Sequence, residues 1–240
     1  MLGWFWSLIN PLTTLAIYSF VFGTILPGAR ALPPDTPIVS FAHFLFAALV
    51  MWNIFLNVSN GMMLSFTKAV NLRKRVYFPA EAPGIATTLA ALVTAAIEIT
   101  VLVLAFAVFG ELSVTFVHLI PIAILTAIFS MGVGFALSPA SIRYKDVNYL
   151  HTVAVRFLFF LTPMIYPLSA VPEEKFGLPL QSIMSAHPLA RFTDASRNAA
   201  YVQVHPSVGD YVYLIVAAAV SLVVGWAIFA RSADRVAEGN

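Results

Sequence analysis

The sequence contains no cysteine. That excludes disulfides, thiolate metal sites and cysteine nucleophiles. Charge is nearly as scarce, since 10% of the 240 residues are charged while 60% are hydrophobic. An average soluble domain has about 25% charged and about 45–50% apolar residues. So few charges do not cover the surface of a soluble protein, which leaves a membrane as the surrounding medium. A formal net charge of +2 is too small to argue for nucleic acid. Signatures of catalysis are missing as well. There is no G-x-x-x-x-G-K-[ST] stretch, so the chain has no P-loop for ATP. There is no nucleophile elbow, and no aspartate pair close enough in sequence to hold a nucleotide-sugar metal. His43, His118, His151, His187 and His205 are scattered without ligand spacing. The expectation is a chain with no catalytic residue, no metal and no cofactor of its own.

What is abundant is long apolar runs. A helix needs about 20 mostly apolar residues to cross the hydrocarbon core. Six runs qualify, at about 4–26, 39–63, 86–109, 114–137, 153–171 and 211–230. The fifth is the weakest, because Arg156 sits near its expected start. The first lacks the basic start and small-residue cleavage site of a signal peptide, so it counts as a span. The expected fold is an all-α integral membrane protein of six transmembrane helices, one transmembrane domain over residues 1–240.

Lys and Arg are retained on the cytoplasmic side of a bilayer. With six spans, Lys68, Arg73, Lys74, Arg75, Arg143, Lys145, Arg156, Arg231 and Arg235 share one side, nine of the thirteen basic residues. Arg30, Lys175, Arg191 and Arg197 lie on the other. Both termini are therefore expected in the cytoplasm. Residues 65–83 form a cytoplasmic connection with a basic cluster in its middle. Residues 172–210 form an outer connection too long for a simple turn. Within it Leu189, Phe192, Ala195 and Ala199 fall near a helical period, which predicts short interfacial or re-entrant helices between spans five and six.

Several side chains carry two readings. Glu98 is the one acid well inside a span, where a charge is expensive. It belongs either to a proton path or to a structural hydrogen bond with a neighbouring helix. Pro11, Pro163 and Pro167 bend helices, either to shape a gate or as passive features. Aromatic side chains crowd spans one, two and five. They form either interfacial belts or a stackable lining for sugar rings, for which Tyr18, Phe22, Phe159 and Tyr166 are the candidates. The cluster Lys68–Arg75 is either an anchor on anionic lipid or a docking element. Its mixture with Tyr77 and Phe78 favours a protein contact.

Five segments then resemble one family. They are Leu2-Gly3-Trp4-Phe5-Trp6-Ser7-Leu8-Ile9-Asn10-Pro11, Asn71 through Pro79, and Arg143-Tyr144-Lys145-Asp146-Val147 with Tyr149-Leu150. The other two are Thr162-Pro163-Met164-Ile165-Tyr166-Pro167 and His187-Pro188-Leu189 followed by Arg197-Asn198. In this order and spacing they resemble the permease subunit of ABC-2-type polysaccharide exporters, which move O-antigen, teichoic acid and galactan-like lipid-linked glycans. The resemblance implies a bacterial cytoplasmic membrane protein that pairs with a second copy of itself and with two copies of a separate P-loop ATPase. ATP and Mg would sit on that ATPase. The implied substrate is a polysaccharide on a polyprenyl diphosphate carrier. Asn71, Leu72, Arg73, Lys74, Arg75 and Tyr77 are implied to touch the ATPase. Arg143, Lys145 and Asp146 are implied to sit at the cytoplasmic mouth, where cations meet a diphosphate. Residues 172–210 would close the exit. Two departures stand out. Tyr144 and Lys145 separate Arg143 from Asp146, and no amphipathic helix precedes the first expected span. The competing readings are an ABC-2 permease for a drug or lipid, and a membrane-embedded enzyme of glycan or lipid metabolism.

Overall fold

The structure is a computed structural model. It describes residues 3–25, 41–73, 76, 78–144, 146–166, 168, 171–174 and 177–237, with the backbone alone for residues 3–8, 22–23, 70–73 and 233–237. The described residues form eight α-helices and no strand. They are α1 (Gly3–Phe20), α2 (Phe41–Arg73), α3 (Ala82–Val108), α4 (Leu119–Arg143), α5 (Asp146–Leu161), α6 (Leu180–Ala186), α7 (Pro188–Arg197) and α8 (Val208–Ala237). A π turn, Val21–Ile25, extends α1, and another, Asn198–Val202, extends α7. A 3₁₀ turn, Val114–His118, leads into α4, capped by the Ser113 hydroxyl accepting from the Thr115 amide.

Among the described residues, four stretches are long and apolar enough to cross a membrane: Phe41–Ala69, Ala82–Val108, Val114–Arg143 and Val208–Ser232. They cover the second, third, fourth and sixth expected spans. The first expected span is occupied by α1 and its π turn. The fifth differs most from expectation. Its helix α5 begins at Asp146 rather than near Val153, and its 16 residues end at Leu161. Asp146 in the first turn complements the helix dipole. At the other end Thr162 precedes Pro163, which disfavours helical backbone at Thr162 and removes an amide donor. The short helices expected in 172–210 are α6 and α7. Leu189, Phe192, Ala195 and Ala199, the residues on the helical period, are all buried.

α2 is apolar on every side and buried along most of its length, from Phe44 and Ala47 through Val50 and Val58 to Met62. It is the hub of the bundle. α2, α4 and α8 run in one direction: His118 meets Tyr211 near one end, and Phe66, Phe135 and Phe229 pack ring on ring near the other. α3 runs the opposite way, with Asn53 beside Glu98 and Gly84 beside Phe66. Outward valines and leucines on α3 and α8, among them Leu89, Val93, Val220 and Val223, offer the apolar surface that lipid solvates. Helix association in lipid relies on close packing of small residues. The crossing of α4 and α8 shows this, because a Cβ on Gly225 would overlap the Gly132 carbonyl. The Ser221 hydroxyl donates across the same crossing to the Phe129 carbonyl at 2.8 Å.

Candidate functional site

The broken end of α5 and the helix α7 meet at Arg197. The break leaves the carbonyls at and just beyond the end of α5 without intrahelical partners. Past that end, Arg197 Nη2 donates to the carbonyls of Pro163 at 2.9 Å and Met164 at 3.2 Å. Its Nη1 donates to Asp194 Oδ1 at 3.1 Å. The guanidinium lies over the Phe44 ring of α2, 4.0 Å from its centroid. Burial lowers the Arg197 pKa to about 10, so it stays cationic at neutral pH. Beside it the Ser196 hydroxyl donates to the Ala47 carbonyl of α2 at 2.7 Å. The Tyr166 hydroxyl caps a carbonyl of α5 itself, that of Phe160, at 2.8 Å. Two motifs far apart in sequence, the one holding Pro163, Met164 and Tyr166 and the stretch ending in Arg197-Asn198, thus become one joint between α2, α5 and α7. Reasoning from the sequence placed Arg197 in the outer charge count and, with Asn198, in a family-like segment, but gave it no partner. The signal available was a proline break in one segment and an arginine in another.

α5 packs on one side only. Among its residues His151 and Val155 are buried, and Phe159 packs edge-on against Trp52 at 5.4 Å between ring centroids. Tyr149, Leu150, Phe157 and Phe160 are exposed. Of the four proposed lining aromatics, Phe159 therefore turns into the bundle, while its neighbours Phe157 and Phe160 turn outward. Tyr18 is half-buried against the core. The side chain of Phe22 lies outside the described residues.

α4 ends at Arg143 and α5 starts at Asp146, so Tyr144-Lys145 is the whole connection between them. Arg143 and Asp146 are exposed at the same end of the bundle, with the Arg143 guanidinium 5.5 Å from the centroid of the Tyr144 ring. Lys145 lies outside the described residues. α2 carries Asn71, Leu72 and Arg73 on its last turn, with their side chains outside the described residues. Lys74, Arg75 and Tyr77 lie outside them altogether. The first nine residues of the 65–83 segment therefore continue α2, and its last two begin α3.

Glu98 accepts a hydrogen bond from Asn53 Nδ2 of α2 at 3.1 Å and is buried. This is the geometry of a structural bond between neighbouring helices. Glu98→Gln keeps an oxygen for Asn53, so the melting temperature of the solubilised bundle is expected to stay within about 2 °C of wild type. A clearly larger fall would instead assign the charge a role in holding α2 to α3. Two of the scattered histidines also come together. His118 Nε2 and His205 Nδ1 lie 2.9 Å apart, and His118 Nδ1 lies 2.7 Å from the Tyr211 hydroxyl, joining the start of α4 to the start of α8.

Several known proteins are similar to this chain. An O-antigen export system permease protein of Klebsiella pneumoniae is 28% identical over 192 residues, 79% of this chain and 69% of its own length. The O-antigen export system permease protein RfbA of Myxococcus xanthus is 24% identical, covering 99% of this chain and 87% of its own. The polysialic acid transport protein KpsM of Escherichia coli is 23% identical across 95% of this chain and 85% of its own. The family model described as ABC-2 type transporter matches residues 1–201. That match runs through the bundle hub, the α5 break and the α7 joint alike. The chain belongs to the ABC-2 type transporter family, as a membrane subunit and not an enzyme, with ATP hydrolysis on a separate subunit.

Proposed function

We propose that this chain is the permease of an ATP-driven exporter that moves a polyprenyl-diphosphate-linked polysaccharide across a bacterial cytoplasmic membrane. The observation that carries this reading is the one-sided packing of α5. Its free face presents Tyr149, Phe157 and Phe160, rings that offer a stackable surface to sugars without demanding one sugar. A second copy of the chain set against this face would enclose a path lined by aromatics. The relatives named for O-antigen and polysialic acid support a glycan over a drug.

On this reading the chain crosses the membrane six times with both termini in the cytoplasm. α1 and α5 supply the two crossings beyond the four long apolar helices. Two permeases pair with two ATPases, which carry ATP and Mg. The last turn of α2 and the residues after it, Asn71 to Tyr77, receive the ATPase. Arg143, Lys145 and Asp146 flank the cytoplasmic mouth. The segment 172–210, with α6 and α7, closes the outer end. Membrane lipid surrounds α3 and α8.

The test is co-purification. A tagged chain, gently solubilised, is expected to bring a P-loop ATPase in equal copy number, and its depletion is expected to accumulate lipid-linked glycan in cells. A chain that purifies alone would overturn the proposal. Reversing charge with Arg73→Glu and Lys74→Glu together is expected to weaken ATPase association about tenfold while membrane insertion persists. Unchanged co-purification would remove these two residues from the coupling surface.

A further inference from the structure

We infer that Arg156 recognises an anion inside the transport path, the diphosphate of the lipid-linked substrate held at mid-depth of the bundle. The inference deepens the polyprenyl-diphosphate reading above and rests on it.

The sequence places Arg156 near the cytoplasmic edge of a span, but the fold does not. α5 starts ten residues earlier, at Asp146. Three residues beyond Arg156, Phe159 packs against Trp52, in the middle of the apolar stretch of α2. Arg156 thus lies about 4.5 Å along the helix axis from that level. The Asn53–Glu98 pair, adjacent to Trp52 in the chain, marks the same depth. A mid-depth residue is about 15 Å from either edge of the hydrocarbon core, beyond the reach of one side chain to the head groups.

Arg156 also stands on the free face. Tyr149, Val153, Arg156 and Phe160 follow one another at steps of four, three and four residues, which lines them up along one side of a helix. His151 and Val155 lie on the opposite, buried side. Tyr149 is 75% exposed and Phe160 68%. Arg156 is exposed and makes no hydrogen bond or ion pair with any described residue. A bare guanidinium facing hydrocarbon at this depth is the costliest arrangement a span can hold. Such charges face a bundle interior or a wet path, and they mark the route of a substrate.

The chemistry then selects the ligand. A guanidinium is always charged, and its fork of donors matches two phosphate oxygens. α5 holds no acid besides Asp146, ten residues away, to neutralise it. In a twofold pair meeting along α5, two copies of Arg156 would approach each other with like charge. An anion between them relieves that repulsion, and Tyr149 and Phe160 on either side supply apolar walls that strengthen the attraction. A neutral lipid or an uncharged glycan segment offers nothing to this position.

The experiment uses the full permease–ATPase complex in nanodiscs and reads ATP turnover against added lipid. The probe is polyprenyl diphosphate, with polyprenyl alcohol and phosphatidylglycerol as controls. Wild type is expected to respond to the diphosphate and to neither control. Arg156→Gln is expected to raise the half-saturating concentration about tenfold or more. Arg156→Lys, which keeps the charge and loses the fork, is expected to shift it by less. Arg231→Gln, at the far end of α8, is expected to leave it unchanged. A wild-type curve from Arg156→Gln overturns the inference and leaves the substrate reading standing. Equal stimulation by phosphatidylglycerol overturns it in favour of bulk anionic lipid. A wild type that ignores the diphosphate overturns both. If Arg156→Gln does not assemble, the lysine variant decides: an intermediate shift supports the inference, and an unshifted curve overturns it.

Discussion

Arg197→Met is expected to abolish export and to lower the stability of the solubilised bundle by about 3 kcal/mol, the low end of the range for breaking a buried ion pair, because Arg197 is buried while Asp194 is partly exposed. The reason lies in what the variant strands. Asp194 loses its partner, and the carbonyls of Pro163 and Met164 lose the donor that satisfies them. Methionine also gives up the contact of a cation with the Phe44 ring. For a chain of this size each kcal/mol corresponds to about 2–4 °C in melting temperature, so a fall of roughly 10 °C is the readout. Arg197→Lys is expected to recover little, because one ammonium cannot serve two carbonyls and a carboxylate in a fixed fork. Asp194→Asn alone leaves the arginine buried beside a neutral amide and is expected to be milder than loss of the arginine. Normal melting and normal export in Arg197→Met would mean that the joint between α5 and α7 is held by apolar packing alone.

Gly225→Ala is the second substitution with a large expected effect. The added methyl group would overlap the backbone of Gly132, and backbone cannot swing aside as a side chain can. α4 and α8 have to separate, which disrupts the Ser221 bond to Phe129 and the ring packing of Phe135 with Trp226 and Phe229. Overpacking within a core commonly costs about 1–3 kcal/mol, and a backbone collision belongs at or above the top of that range. Gly209→Ala is the control. A Cβ there meets the Ser207 hydroxyl oxygen at 3.6 Å, an ordinary contact. Melting curves of the two variants are expected to differ, with Gly209→Ala near wild type. Equal melting temperatures for both would refute the close-crossing account.

The sequence made the long crossings legible because length and apolarity alone define them. α3, α4 and α8 fall close to their expected places. α2 was less legible at its end. The basic residues after Met63 read as a separate connection, yet the helix continues to Arg73. Nothing in lysine or arginine stops a helix, and long side chains suit one as it leaves the membrane. α5 was the hardest to bound. A charge in the middle of an apolar run reads as an edge when one chain is considered alone, and Arg156 pushed the expected start too late. The joint at Arg197 was hidden for another reason. Its partners are backbone carbonyls freed by a break 33 residues away, and carbonyls leave no mark in a sequence. The period of Leu189, Phe192, Ala195 and Ala199 did reveal α7, because burial on one side of a helix is written in residue type.

α2 holds one more consequence. Its 33 residues contain no proline, and at 1.5 Å per residue they reach about 50 Å. One end carries Asn71, Leu72 and Arg73. The other supplies the Phe44 ring under Arg197 and the Ala47 carbonyl for Ser196. One unbroken rod therefore links the segment proposed to receive the ATPase to the segment proposed to close the far side. Linkage between two sites on such a rod is reciprocal. If nucleotide-driven closure of an ATPase favours an open outer end, an outer end held open must raise the affinity for the closed ATPase by the same factor.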